Sequence, residues 1–194
     1  MNTYPKIITQ LLSLILFVTI SINTAQAQEF KLSNHESELT VFGTSSLHDW
    51  HITTEQQSGN IKFVDVESGK IESLSLSVVA ESLKSGKSSM DKNTYKALET
   101  DDYKNITFQL TGIKSVVAKE NGEFAVKALG DLSIAGTKKN IPIDLTVNVV
   151  GSKVKITGDK EIKMTDFNVD PPKALFGTIT TGNEITIKFS TIFK

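Results

Sequence analysis

The sequence predicts an all-β chain, an antiparallel barrel of about eight strands with one short helix near a barrel mouth. Three observations carry this. Apolar and polar residues alternate with period two over most of the chain, and short glycine-containing turn signals separate the alternating runs. Only one stretch changes to helical spacing.

Leu39 with Val41, then Ile61 with Phe63, open the series as two short candidates. Leu74, Leu76, Val78 and Ala80 alternate with Ser73, Ser75 and Ser77. Ile106, Phe108 and Leu110 follow, and then a long face of Phe124, Val126, Ala128, Gly130, Leu132 and Ile134. Ile141, Ile143, Leu145, Val147 and Val149 form the next run. Val154 and Ile156 make a short one, and Ile185, Ile187, Phe189 and Phe193 the last. One face of each is apolar and the other wet, the mark of a half-buried antiparallel strand. Turns are expected at Ser68-Gly69, Asn121-Gly122, Ala135-Gly136-Thr137, Gly151-Ser152 and Gly182-Asn183. So many antiparallel strands must close or sandwich to protect their edges, and closure is the preferred solution. Ser88-Ser89-Met90-Asp91 has the form of an S-x-x-acid N-cap, and Met90, Thr94, Ala97 and Leu98 then fall at helical spacing. This predicts a helix over 89–99 lying across one mouth, as a plug over core or as a lid.

Residues 1–27 read as a secretory signal peptide. Lys6 precedes an apolar run over 7–22, and Ala25-Gln26-Ala27 is an A-x-A cleavage pattern. Polar residues interrupt the run, which is short of the roughly 20 apolar residues of a membrane span. Cleavage after Ala27 is therefore expected, leaving residues 28–194 as one periplasmic or secreted domain with no stable membrane span. Loss of Lys6 takes the formal net charge of −1 one unit lower. A chain this close to neutral, without a long basic run, argues against nucleic acid as a partner. The absence of cysteine excludes disulfides, thiol catalysis, thiolate metal sites and a cysteine-linked lipid anchor. All 21 basic side chains are lysines, so no guanidinium fork is available for a carboxylate or phosphate.

The stretch Gly43-Thr44-Ser45-Ser46-Leu47-His48-Asp49-Trp50-His51 holds the only tryptophan and two of the three histidines. His48, Asp49 and His51 have metal-ligating chemistry, but positions three apart on a strand face opposite ways. Ser46, His48 and Asp49 have the residue types of a hydrolytic triad. Neighbours on an extended chain rarely meet that geometry, however, and no G-x-S-x-G elbow is present. No cofactor, metal or enzymatic activity is expected. As part of a barrel mouth, Trp50 would line or cap a cavity with its N–H wanting a partner. Ser46 and His48 would offer hydrogen bonds to a ligand head, or His48 would simply fasten the turn to backbone. Leu76, Val78 and Phe108 are expected on inner faces, where Ala80, Ala128 and Gly130 would leave room. Met164, Phe167 and Phe176, near Pro171-Pro172, would supply an adaptable mouth.

Five blocks stand in a telling order. They are Ser37-Glu38-Leu39-Thr40-Val41-Phe42-Gly43-Thr44-Ser45-Ser46-Leu47-His48-Asp49-Trp50, Val78-Val79-Ala80-Glu81-Ser82-Leu83, Tyr103-Lys104-Asn105-Ile106-Thr107-Phe108, Gly130-Asp131-Leu132-Ser133-Ile134-Ala135-Gly136-Thr137-Lys138-Lys139-Asn140-Ile141, and Met164-Thr165-Asp166-Phe167-Asn168-Val169. Together they resemble the YceI-like family of polyisoprenoid-binding, lipocalin-like proteins. The resemblance implies an extended eight-stranded barrel around a long apolar chain, in some members as a homodimer. Two departures stand out. Met90-Asp91 and Ala97-Leu98 replace the family's frequent Arg-Asp before the helix and His-Leu within it, and Met164-Thr165 stands where an arginine often precedes the late Asp-Phe. Both changes point away from an anionic head group, toward a more neutral or simply different lipid. The expected partner is a long-chain apolar ligand, an isoprenoid or fatty-chain lipid, carried or stored in the periplasm. The alternative is a filled barrel acting as a structural or interaction module of the cell envelope.

Overall fold

A computed structural model describes residues 28–194, and the expected signal peptide lies outside them. The described residues form twelve strands: β1 (Gln28–Lys31), β2 (Glu38–Ser45), β3 (Trp50–Thr54), β4 (Gln57–Asp65), β5 (Lys70–Val79), β6 (Leu83–Lys84), β7 (Asn105–Ala118), β8 (Glu123–Ile134), β9 (Thr137–Val150), β10 (Lys153–Lys163), β11 (Lys173–Ala174) and β12 (Ile179–Phe193). Helix α1 (Ser88–Ala97) follows β6.

One antiparallel sheet takes the order β1-β4-β5-β7-β8-β9-β10-β12-β2-β3-β6, with β11 added beside β12. The sheet closes through the segment 28–32. β1 pairs with β4, and the next residue, Leu32, pairs with Phe193 of β12. There the Lys31 N–H donates to Lys194 O at 2.8 Å and the Ser33 N–H to Ile192 O at 2.7 Å. Beyond the 3₁₀ turn Asn34–Glu36, β2 runs between β12 and β3. The result is the antiparallel barrel expected from the alternation, in eight lanes. Twelve strands arise because the first two lanes are each broken once and because β6 and β11 are two-residue additions.

Several sequence expectations need correction. β5 ends at Val79, and Ala80 starts a 3₁₀ turn whose amide donates to Lys104 O at 2.9 Å. β10 continues through Gly158 and Lys160 to Lys163, held by ten consecutive pairings with β12 although its apolar pattern lapses. Gly182-Asn183 is not a turn; it lies within β12, where the register to β2 shifts between Thr181 and Ile185. A bulge of this kind bends the strand without ending it. The helix starts one residue early, and its N-cap, Lys87, has no side-chain cap. Asp91 instead accepts from the Ser85 amide (2.8 Å) and hydroxyl (2.6 Å).

The barrel is solid at one end. Ile61, Phe63, Val126, Val147, Val154 and Phe193 are fully buried, and the Phe30 ring meets Phe63 edge-on with centroids 6.1 Å apart. Toward the other end, three rings lie along the wall instead of projecting inward, each covering a glycine. Trp50 lies over Gly43 directly opposite, Phe189 over Gly158 directly opposite, and Phe108 over Gly130 diagonally. A Cβ at any of the three glycines would overlap the ring. Thus the space that Gly130 leaves is taken by Phe108, and Ala128 is simply buried core.

Two outcomes follow for stability. Phe63→Ala should lower the unfolding free energy in urea by about 3–5 kcal/mol, the usual cost of deleting a buried ring. Gly130→Val should push the Phe108 ring off its bed and cost about 1–3 kcal/mol; a melting temperature at or above that of the parent protein would contradict this packing.

Candidate functional site

Above the solid end the barrel is hollow, with a cavity of about 360 Å³, within the range of small-molecule sites. Leu74, Ile156, Phe167 and Thr191 line it and are almost completely buried. Thr191 is no polar anchor for a ligand, because its hydroxyl donates to Ile156 O at 3.3 Å. The walls are the inward positions of the long strands, such as Leu76 and Val78 on β5, Phe108 on β7, Ile143 on β9 and Ile187 on β12. Period-two alternation assigns these residues to the inside, and the pairing of β5 with β7 at Leu76↔Phe108 and Val78↔Ile106 sets their height.

Helix α1 covers the mouth. Met90, Asn93, Thr94 and Ala97, one helical face, line the cavity, yet no residue of the helix is buried. A plug would bury that face; this helix roofs a void. Its fastening is polar. Burial raises the Asp91 pKa, but the hydrogen bonds from the Ser85 hydroxyl and amide, with Lys84 nearby, outweigh it and hold the carboxyl below its ordinary value. Tyr95 accepts from Lys84 Nζ at 2.6 Å and donates to Glu81 O at 2.8 Å. The bond to Tyr95 is the main reason that the Lys84 ammonium titrates above its usual range.

Opposite the helix, the β2–β3 turn is bound up in itself. Ser45 Oγ donates to His48 O at 2.7 Å, and the His48 amide donates back to Ser45 Oγ at 3.2 Å. His48 Nδ1 lies 2.8 Å from Asp49 O, a bond that requires the proton on Nδ1 and leaves Nε2 as the free acceptor. Trp50 Nε1 donates to Thr44 O at 2.8 Å. Ser46 ties this turn to the start of β12: its amide donates to Thr180 O (2.9 Å), and its hydroxyl accepts from Thr180 N (3.1 Å). Neither bond involves His48 or the Asp49 carboxylate, so these residues form no nucleophile–base pair. His51 is on the outer face beside Phe42, away from His48.

Seven of the twelve residues singled out from sequence line the cavity: His48, Trp50, Leu76, Val78, Phe108, Met164 and Phe167. Ser46, Ala80, Ala128 and Gly130 do not, for the reasons already given. Phe176 is fully exposed at a left-handed backbone position (φ 56°) and lies off the lining. The alternation missed one inward residue of a different kind. Lys160 lines the cavity on the face of β10 that carries Ile156 and Ile162. Counting in twos from Ile156 reaches it, but Gly158 and the charge itself interrupt the apolar signal.

A family model for the YceI-like domain matches residues 30–193. Among solved structures, BcnA of Burkholderia cenocepacia is similar at a TM-score of 0.67 and 18% identity, over 83% of this chain and 98% of that one. A polyisoprenoid binding domain from Saccharophagus degradans, implicated in plant cell wall breakdown, gives 0.68 and 14%, over 85% and 97%. The Campylobacter jejuni YCEI protein gives 0.57 and 19%, over 72% and 81%. No curated protein matches significantly. With the family model spanning nearly all of the described residues, the chain belongs to the YceI-like family.

Proposed function

We propose that this protein is an exported lipid-binding protein that holds an isoprenoid or fatty-chain ligand in the hollow half of its barrel, for carriage or storage in the periplasm. The observation that carries this is the cavity: deep, apolar-walled, closed at the floor and roofed by a helix that buries none of its own residues. Each methylene moved from water into such a wall contributes roughly 0.8 kcal/mol, enough for a long chain to bind tightly after the costs of association. The polyisoprenoid binding described for the Saccharophagus domain supports the ligand class. The signal-like pattern of residues 1–27 supports export. Binding, not turnover, fits a mouth whose serine, histidine and tryptophan atoms are engaged with main chain. A filled barrel acting as an envelope module would leave the cavity unexplained.

Native purification, organic extraction and mass spectrometry should recover a prenyl or acyl lipid. Added prenyl or acyl chains should also change the emission of Trp50, the only tryptophan and a cavity-wall residue, in a saturable way. Recovering no lipid and seeing no saturable change would sink the proposal.

The roof should respond to its anchor. Asp91→Asn should raise amide exchange in α1 by about 5-fold at neutral pH, on the order of 1 kcal/mol for an exposed charge-assisted pair. Because the folded carboxyl titrates below its unfolded value, the contribution is complete above the unfolded value and disappears as pH falls through the folded one. The difference between variant and parent should close over that acid window; a difference that persists below it would assign the effect to something other than the carboxylate.

A further inference from the structure

We propose that the cargo carries an acid: a carboxylate on a long apolar chain, paired with Lys160 on the inner wall of the barrel. This rests on the lipid-carrier reading and names the ligand's polar end. Lys160 occupies an inward position of β10, opposite Ile187 of β12 and two residues from Ile162. It sits four residues above Ile156 at the cavity floor and four below Met164 at the mouth, about 13 Å along the strand from each. Lys160 is half-buried there, a cation on an otherwise largely apolar lining.

Nothing in the fold offers that charge a partner. Lys160 makes no hydrogen bond or ion pair with any described residue. The charged side chains lining the cavity are Lys87, Lys160 and Lys173, and no carboxylate lines it among the described residues. The acids flanking Lys160 in sequence, Asp159 and Glu161, are exposed on the outer side of the strand. The wall is also open beside it: the β9–β10 ladder ends at Thr157↔Thr146, so the stretch carrying Lys160 is paired only to β12.

A neutral isoprenoid alcohol would bury the chain and leave the ammonium unpaired. A single carboxylate would supply one charge to meet one charge, while the chain fills the apolar remainder. Lys87 and Lys173, nearer the mouth, have the sign that favours an incoming anion. The arginines missing at the family's usual positions therefore do not leave the site without a cation. This chain places one at Lys160.

Lipid-stripped protein titrated with palmitic acid and with hexadecanol, followed by Trp50 emission and calorimetry, tests this. The parent protein should prefer the acid by about 10- to 100-fold, the range for a hydrogen bond to a charged group. Lys160→Met should abolish the preference while still taking up hexadecanol, and Lys160→Arg should largely keep it. Equal affinity of the parent for the two probes overturns the proposal and leaves the lipid carrier standing. So does an acid preference that survives Lys160→Met, which would move the anion to Lys87 or Lys173. Uptake of neither probe overturns both.

Discussion

Where the aromatic rings go decides whether this barrel is solid or hollow. Eight antiparallel lanes enclose a space that ordinary side chains are able to fill. At the closed end they do, with Ile61, Phe63 and Phe193 packed into a fully buried core. At the open end Trp50, Phe108 and Phe189 are just as bulky, yet each is laid along the wall on a glycine of the neighbouring strand. The glycine has no side chain to hold the ring off, so the ring covers exposed backbone and leaves the centre free. A glycine within a strand normally weakens it; the ring that covers it restores the packing.

This arrangement separates stability from binding. The filled half supplies the cooperative core, and the segment 28–32, paired to β4 and bridged to β12, closes the sheet around it. The hollow half can then give up side-chain contacts without loss of the fold. Its roof is fastened by polar anchors at Asp91 and Tyr95 and by modest apolar contact, with Met90 and Leu98 packed against the small cluster of Ile52, Val78 and Leu83. A cover held in that way opens at lower free energy than the core unfolds.

The strands were legible in the sequence because each buries only one face, so period two survives in the residue pattern. The corrections share a cause. Gly182-Asn183 resembles a turn because glycine and asparagine favour both turns and bulges, and only the pairing on either side of β12 distinguishes them. Gly130 looks like room for a ligand because its occupant, Phe108, comes from another strand. Phe176 looks like mouth lining by its type and neighbourhood, but a left-handed backbone position directs it to solvent. Lys160 is the reverse case, a residue type that reads as exterior on a position that register places inside.

The segment around His48 and Trp50 shows how composition misleads about chemistry. Serine, histidine, aspartate and tryptophan within a few residues suggest a reactive centre. Their donors and acceptors are instead used to fold a tight turn, to tie it to the start of β12 and to hold a ring flat. A polar atom already satisfied by main chain has little left with which to select a ligand. Recognition in this barrel must then come from groups that the fold leaves unmatched: the length and width of the apolar shaft, the free Nε2 of His48 at its rim, and the ammonium of Lys160 within it. Of these, only the ammonium carries a charge, which a ligand of opposite sign would match and a neutral one would not, and that makes it the strongest discriminator among them.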